Sequence, residues 1–224
     1  MNEVKINISN IKAVIFDMDG LMFNSELVYR AALEEMAKRR GRIFTDAIHR
    51  SMMGKAAIED IRVLLNAWNL KEDPREAFIE RNDLYISLVD HLLKPMPGLI
   101  ELLDTIKNKE LRMAIATGSE RRIVDINLST YKLDFGYFEL IISGDGIKNG
   151  KPDPEIYNKT VQLLALKPIE CLVIEDSLNG VIAAKATGCK AFAVPNQWSD
   201  PKDFNMADNV FASLEQIIPV ILGI

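Results

Sequence analysis

The sequence predicts an α/β fold, a doubly wound parallel sheet with a small all-helical cap inserted after the first strand. Along most of the chain, short runs of consecutive apolar residues alternate with segments of helical period. Such runs are typical of strands buried on both faces, and their alternation with helices indicates a parallel sheet covered on both sides. One stretch, residues 25–93, has helical periodicity only, which predicts the inserted cap.

The strands and helices of the core follow from these patterns. Five apolar runs predict strands at Ala13–Phe16, Met113–Ala116, Leu140–Ile142, Leu172–Ile174 and Ala191–Val194. Apolar residues at helical spacing predict helices over Gly98–Lys109, Pro154–Leu166 and Leu178–Thr187. Pro154 suits a first helical turn, and Gly188 suits the residue after a helix end.

The cap is expected to contain three helices. They are predicted over Glu26–Arg40, over Ala56–Leu70, and from Pro74 to about Leu93 with Asp73 as the N-cap. The segment Pro95–Gly98 is rich in turn residues and would return the chain to the core. The predicted domains are therefore a core of residues 1–24 and 94–224 and a cap of residues 25–93.

Polar residues follow three of the predicted strands, and one more lies in a predicted loop. In open α/β sheets ligands bind outside the carboxyl ends of the strands, so these side chains should converge on one crevice. They are Asp17 and Asp19 after the first strand, Thr117, Gly118 and Ser119 after the second, Glu175 and Asp176 after the strand Leu172–Ile174, and Lys151 in the loop 150–154.

The chemistry of this set indicates phosphoryl transfer. Asp17, Asp19 and Asp176 would repel one another unless a cation lay among them, and hard oxygen ligands suit Mg²⁺. Thr117 and Lys151, with backbone N–H groups of the nearby glycine loops, would bind an anion. Each feature alone has a plainer interpretation, a solvated turn, a surface lysine or a helix cap, so the prediction rests on their agreement.

Four motifs in order resemble the haloacid-dehalogenase-like superfamily. They are Phe-Asp-Met-Asp-Gly at 16–20, Ala-Thr-Gly-Ser at 116–119, Gly-Lys-Pro-Asp-Pro at 150–154 and Ile-Glu-Asp-Ser-Leu-Asn-Gly at 174–180. The resemblance implies a Rossmann-like core with a helical cap. Within the superfamily, the sequence most resembles the branch that contains β-phosphoglucomutase, sugar-phosphate phosphatases and pseudouridine monophosphate phosphatase.

The resemblance also implies roles for these residues. Asp17 would attack phosphorus and become an aspartyl phosphate, and Asp19 would protonate the leaving oxygen and then activate water. The phosphoryl group would be bound by Thr117 and Lys151, with Gly118 and Ser119 as further substrate contacts. Mg²⁺ would be held by Asp17, the backbone carbonyl of Asp19, and Asp176, with Glu175 nearby or in its second coordination sphere.

The cap departs from the mutase pattern. Tyr29, Ala57 and Glu120 stand where the mutase is basic, and a mutase must grip a second phosphate. We therefore expect hydrolysis of a small phosphomonoester, with a β-phosphoglucomutase-like mutase as the alternative. Lys55 and Arg81 are candidate substrate contacts, or else solvated cap charges. Asn24 replaces the usual aspartate of this position, with no role assigned.

Two other classes and several partners are disfavoured. Asp19 argues against a dehalogenase, and the helical insert argues against a phospho-accepting signalling module, the alternative from another functional class. The net charge of −5 argues against a nucleic-acid partner, and no apolar run reaches the roughly 18 residues needed to span a bilayer. We expect a cytoplasmic monomer acting on a small phosphorylated metabolite.

Overall fold

A parallel sheet forms the centre of the protein. The computed structural model describes residues 6–52, 57–133, 136–197, 199 and 204–223, and of residue 57 the backbone only. The strands are β1 (Ala13–Phe16), β2 (Arg112–Ala116), β3 (Leu140–Ile142), β4 (Cys171–Glu175), β5 (Lys190–Ala193) and β6 (Asn209–Val210). They form one six-stranded sheet in the order β3-β2-β1-β4-β5-β6, and every pairing is parallel.

Helices precede and follow the strands along the described chain. They are α1 (Ser25–Arg39), α2 (Asp46–Met52), α3 (Ala57–Ala67), α4 (Pro74–Leu92), α5 (Leu99–Asn108), α6 (Arg121–Thr130), α7 (Glu155–Leu163), α8 (Leu178–Thr187) and α9 (Ile218–Leu222). Short 3₁₀ turns cover Pro168–Glu170 and Leu214–Ile217. None of the described helices is long and apolar enough to cross a membrane.

The four central strands β1, β2, β4 and β5 are buried on both faces, as their continuous apolar sequences predict. In β1, Val14 and Phe16 join one hydrophobic cluster, while Ala13 and Ile15 join the cluster on the opposite face. All four residues have no exposed surface. Because successive strand side chains point to opposite faces, each of these four strands contributes to both cores. The predicted fold class, a doubly wound parallel sheet with a helical cap, is confirmed.

Helices α1 to α4 lie between β1 and α5 in the chain and have a hydrophobic core of their own. Met36, Leu64 and Trp68 belong to this third cluster, whose buried members all come from residues 32–84. Asp73 caps α4 as predicted, because its side chain accepts a hydrogen bond of 2.8 Å from the Arg75 N–H. We propose residues 25–93 as the cap, with the boundaries that the sequence suggests.

Asn24 joins the two chain segments that connect core and cap. Its backbone N–H donates to the Lys94 carbonyl (3.0 Å), and its Oδ1 accepts from the Lys94 N–H (2.6 Å). Its side-chain amide donates to the Leu92 carbonyl at 3.4 Å. An aspartate here could accept a hydrogen bond but could not donate the last one. The residue whose role the sequence left open therefore ties the two linkers together.

The sequence did not predict four described helices and strands, α2, α6, α9 and β6, or the two short 3₁₀ turns. Helix α2 has seven residues, too few for a clear period, and β6 has two. Helix α6 is mostly polar, yet Ile123, Val124 and Leu128 bury one side of it. The interpretation of Pro154 as a first-turn residue was wrong: α7 begins at Glu155, whose N–H is bonded by the Asp153 side chain (2.9 Å).

Candidate active site

The predicted polar residues meet at the carboxyl ends of the central strands. Strand β1 lies between β2 and β4, so the residues that follow these three strands are neighbours in space. Asp17 follows β1, Thr117 follows β2 and Asp176 follows β4. All three line one cavity of about 820 Å³, whose opposite wall is formed by residues of the cap.

Lys151 connects two buried carboxylates. Its Nζ donates to Asp17 Oδ1 (2.5 Å), to Glu175 Oε1 (2.6 Å) and to the Ala116 carbonyl (3.1 Å). Burial raises the pKa of Asp17 to about 8, and Lys151 opposes that rise. Burial would lower the pKa of Lys151, but Asp17 and Glu175 raise it well above its usual value. The ammonium is thus fixed beside Asp17 by hydrogen bonds to two carboxyl groups.

Asp19 is held by two hydroxyl groups from the loop after β2. Its Oδ2 accepts hydrogen bonds from Ser119 Oγ (2.7 Å) and Thr117 Oγ1 (3.1 Å). The Ser119 N–H in turn donates to Thr117 Oγ1 at 3.1 Å. Burial raises the pKa of Asp19, and these hydrogen bonds work against the rise. A carboxyl group that retains its proton more readily than usual is suited to donate that proton.

Asp17, Glu175 and Asp176 offer a group of oxygens that fits a cation. One oxygen from each lies within 4.8 Å of the others, and all three residues are buried. Burial raises the pKa of Asp176 well above its usual value, and the charges of Asp17 and Glu175 add to it. Gly20 lies against this group with φ +78°, and a Cβ there would come within 2.4 Å of Asp176 Oδ2. A hard divalent cation such as Mg²⁺ fits these oxygen donors.

The chain matches a known family and known proteins. The profile of the haloacid dehalogenase-like hydrolases matches residues 14–194. The chain belongs to this family. It is 36% identical over 194 residues, 86% of this chain and 89% of the relative, to the phosphorylated carbohydrates phosphatase of Thermotoga maritima. It is 30% identical to the mitochondrial (DL)-glycerol-3-phosphatase 1 of Arabidopsis thaliana, over 96% of this chain and 74% of that protein.

A solved structure of this hydrolase family agrees with the fold. It comes from Thermotoga maritima, was provisionally called a β-phosphoglucomutase, and superposes with a TM-score of 0.80 at 32% identity. The superposition covers 96% of this chain and 100% of that one. The predicted enzyme class, a haloacid dehalogenase-like phosphoric monoester hydrolase, is thereby confirmed. The alternative of a signalling module is set aside.

In this hydrolase, Glu175 is surrounded by donors. Oε1 accepts from Lys151 and from the Tyr157 hydroxyl (2.6 Å), and Oε2 accepts from the N–H groups of Asp176 (3.1 Å) and Ser177 (3.2 Å) and from Ser177 Oγ (3.0 Å). With both oxygens so engaged, we interpret Glu175 as a residue that positions Lys151. Sequence reasoning missed Tyr157, which lies inside α7 without a motif around it.

The other predicted site residues divide into two groups, and one further residue was not predicted. Gly118, Ser119 and Arg81 line the cavity with the carboxylates and Lys151. Lys55 lies outside the described residues. Asn196 was missed by sequence reasoning, although its amide donates to Asp176 Oδ2 at 2.7 Å. It comes from the loop after β5, and the only sequence signal for it was its place beyond a strand end.

Proposed function

We propose that the chain is a Mg²⁺-dependent phosphatase that hydrolyses a small phosphomonoester, a sugar phosphate or a nucleoside monophosphate, through an aspartyl phosphate on Asp17. The observation that carries this proposal is the buried Asp17 carboxylate at the end of β1, bonded to Lys151 at 2.5 Å and opening on a cavity. A carboxylate held beside a fixed cation and next to a second, protonatable carboxyl group has the parts that phosphoryl transfer requires.

In the first step, an oxygen of Asp17 forms a bond to phosphorus while the bond from phosphorus to the ester oxygen breaks. Asp19 donates its proton to the departing oxygen, so that a neutral alcohol leaves. In the second step, water attacks the aspartyl phosphate and Asp19 takes a proton from it, which releases inorganic phosphate and restores Asp17. Lys151 and Thr117 bind the phosphoryl oxygens throughout, and Lys151 offsets part of their charge.

Asp17 and Asp176 would hold the cation, and the carbonyl of Asp19 stays a predicted third ligand. When bound, Mg²⁺ supplies positive charge that lowers the repulsion between phosphate and the carboxylates. The size of the substrate follows from the cavity, about 820 Å³ between core and cap, which suits a metabolite and not a polymer. Relatives named for phosphorylated carbohydrates and glycerol 3-phosphate support the same substrate class.

The test is phosphate release from a panel of sugar phosphates and nucleoside monophosphates, with Mg²⁺ and with EDTA. We expect turnover only with Mg²⁺, and we expect Asp17→Asn to reduce it to less than about 1% of wild type, since the covalent step needs an ionised nucleophile. Circular dichroism would establish that the variant is folded. A folded Asp17→Asn enzyme with substantial activity would rule out Asp17 as the nucleophile.

The same assay separates hydrolysis from the mutase alternative. The enzyme is incubated with β-glucose 1-phosphate, with and without the 1,6-bisphosphate, and both phosphate and glucose 6-phosphate are measured. We expect phosphate as the main product, because Tyr29 and Glu120, which line the cavity, cannot bind a second phosphate as basic residues would. Rapid formation of glucose 6-phosphate with little phosphate would establish the mutase.

A further inference from the structure

An ion pair forms part of the cap wall of the cavity. Arg81 donates from Nη1 to Asp60 Oδ2 (2.9 Å), and from Nε and Nη2 to Asn82 Oδ1 (3.0 and 2.9 Å). Its guanidinium also packs against two rings, Phe78 at 4.6 Å and Tyr29 at 4.9 Å from the ring centroids. Arg81 is 7% exposed. The charge that the sequence suggested for substrate binding is therefore already matched by a protein carboxylate.

Asp60 lines the cavity, as Arg81 does. Its Oδ1 is hidden from solvent, so a ligand in the cavity does not reach that atom, and its Oδ2 is held by Arg81. Asp60 therefore acts on a ligand through its charge, by neutralising Arg81 within the cavity wall.

The charges on the described part of the cap wall favour a neutral ligand. Among the described cap residues that line the cavity, the carboxylates are Glu26 and Asp60 and the guanidinium is Arg81, with His49 beside Glu26. Two carboxylates therefore face one guanidinium on the described part of this wall. A carboxylate or second phosphate placed here would meet like charge in a poorly solvated site, whereas a hydroxyl would donate a hydrogen bond.

We propose that Asp60 is a specificity-determining residue: it neutralises Arg81 through Oδ2, and so selects phosphomonoesters with a neutral polyol over those with a second anionic group. This inference rests on the proposed function. Such discrimination is expected because an anionic group placed against this wall loses part of its solvation and finds no unneutralised guanidinium there to compensate.

The test uses two compounds that differ in one group. Glycerol 3-phosphate ends in CH₂OH where 3-phosphoglycerate ends in a carboxylate, and the rest of each molecule is the same. The ratio of their kcat/KM values is measured for wild type, Asp60→Asn and Glu59→Gln, with Mg²⁺. Where turnover is too slow, the ratio of their inhibition constants against p-nitrophenyl phosphate hydrolysis is used. Glu59 is the matched control, because it is the exposed preceding residue on α3 and loses the same charge.

We expect wild type and Glu59→Gln to favour glycerol 3-phosphate to the same degree. Asp60→Asn should reduce that preference by at least about tenfold, because it removes one negative charge and leaves Arg81 unneutralised. A ratio that is the same in Asp60→Asn and Glu59→Gln would overturn the inference while leaving the phosphatase intact. Absence of p-nitrophenyl phosphate hydrolysis by wild type would overturn the proposed function and this inference with it.

Discussion

The acidic side chains at the carboxyl end of the sheet differ in what they touch. Asp17 and Glu175 share Lys151, Asp19 is bonded by two hydroxyl groups, and Asp176 is bonded by an amide. Burial raises the pKa of Asp17, Asp19 and Asp176 alike, and their different partners modify that rise, so the same residue type is suited to serve as nucleophile, acid and anchor. The Asp19 partners are neutral, which is the environment that suits a proton donor.

The proton-donating role of Asp19 predicts a dependence on the leaving group. A general acid contributes most when the departing oxygen is a poor leaving group. We therefore expect Asp19→Ala to lose about a hundredfold more kcat on a sugar phosphate than on p-nitrophenyl phosphate. Asp125→Ala, an exposed carboxylate of α6 that pairs with Arg121, should lose little on either substrate. Equal losses of Asp19→Ala on both substrates would argue against the acid role.

Residues at the strand ends could be predicted from the sequence, because a parallel sheet brings its carboxyl ends together whatever its detailed geometry. Tyr157 and Asn196 could not, since neither lies in a motif and each reaches its carboxylate from a separate element. The pairing of Arg81 with Asp60 could not be predicted from the sequence either. It depends on how α3 packs against α4, which the spacing of apolar residues does not determine.

At the scale of elements, the start of α8 is fitted around Glu175. Ser177 caps this helix by accepting a hydrogen bond of 3.0 Å from the Gly180 N–H, and its hydroxyl donates to Glu175. Gly180 faces the same carboxylate so closely that a Cβ would come within 1.8 Å of Oε1. The helix can therefore begin where it does only if this position carries no side chain.

Gly180→Ala should reverse the usual effect of alanine in a helix. Alanine favours helix by about 1 kcal/mol over glycine. Here the added Cβ displaces Glu175, so we expect the free energy of unfolding to fall by roughly 1–3 kcal/mol and activity to drop as Lys151 loses its anchor. Urea denaturation and phosphatase assays measure the two effects. In Gly150→Ala, where the new Cβ meets nothing within 4 Å, stability should change little; an equal loss there would contradict the explanation.

A helix or strand could be predicted where its buried residues form a regular apolar pattern in the sequence. Strands β1 and β3 and helix α8 have the predicted bounds, because they are continuous apolar runs or have a clear cap. Helix α6 was missed since it buries few apolar residues and includes a buried asparagine, Asn127, that bonds Tyr85 of α4 at 3.1 Å. Its helical face is recognisable only once the cap is in place against it.

At the scale of the whole molecule, burial of the carboxylates has a cost that a cation would offset. Burial raises the pKa values of Asp17 and Asp176, so the metal-free folded state retains protons that the unfolded chain releases. Between the usual aspartate pKa near 4 and the value of about 8 for Asp17, stability should therefore fall as the pH rises. Below that range both states are protonated and the contribution is fully present.

We accordingly expect the free energy of unfolding in EDTA to decrease from pH 5 to pH 8. Mg²⁺ should raise stability most at pH 8, because it binds the ionised carboxylates of the folded state only. Asp176→Asn should flatten the pH dependence in EDTA and reduce the gain from Mg²⁺. Urea titrations at both pH values measure these changes. A metal-free protein that becomes more stable towards pH 8 would contradict the assignment of these raised pKa values.

The placement of the cap on the core was beyond sequence reasoning. Contacts such as Tyr29 with Ser119 (3.2 Å) and Asn82 with Glu120 (3.0 Å) join residues far apart in the chain. Nothing in the type or spacing of these residues indicates that they pair. The cytoplasmic location and the monomeric state stay predictions, as do the backbone carbonyl of Asp19 as a ligand and the role of Lys55.

The hydrogen bonds of Asn24 have a consequence for the evolution of such a protein. Residues 25–93 leave the core and return to it at one point, where Asn24 and Lys94 are already bonded to each other. An insert whose two ends adjoin imposes little loop-closure entropy on its host, however long it is. The sheet and its catalytic side chains can accordingly be inherited as one unit while the inserted module is enlarged, shortened or exchanged for another.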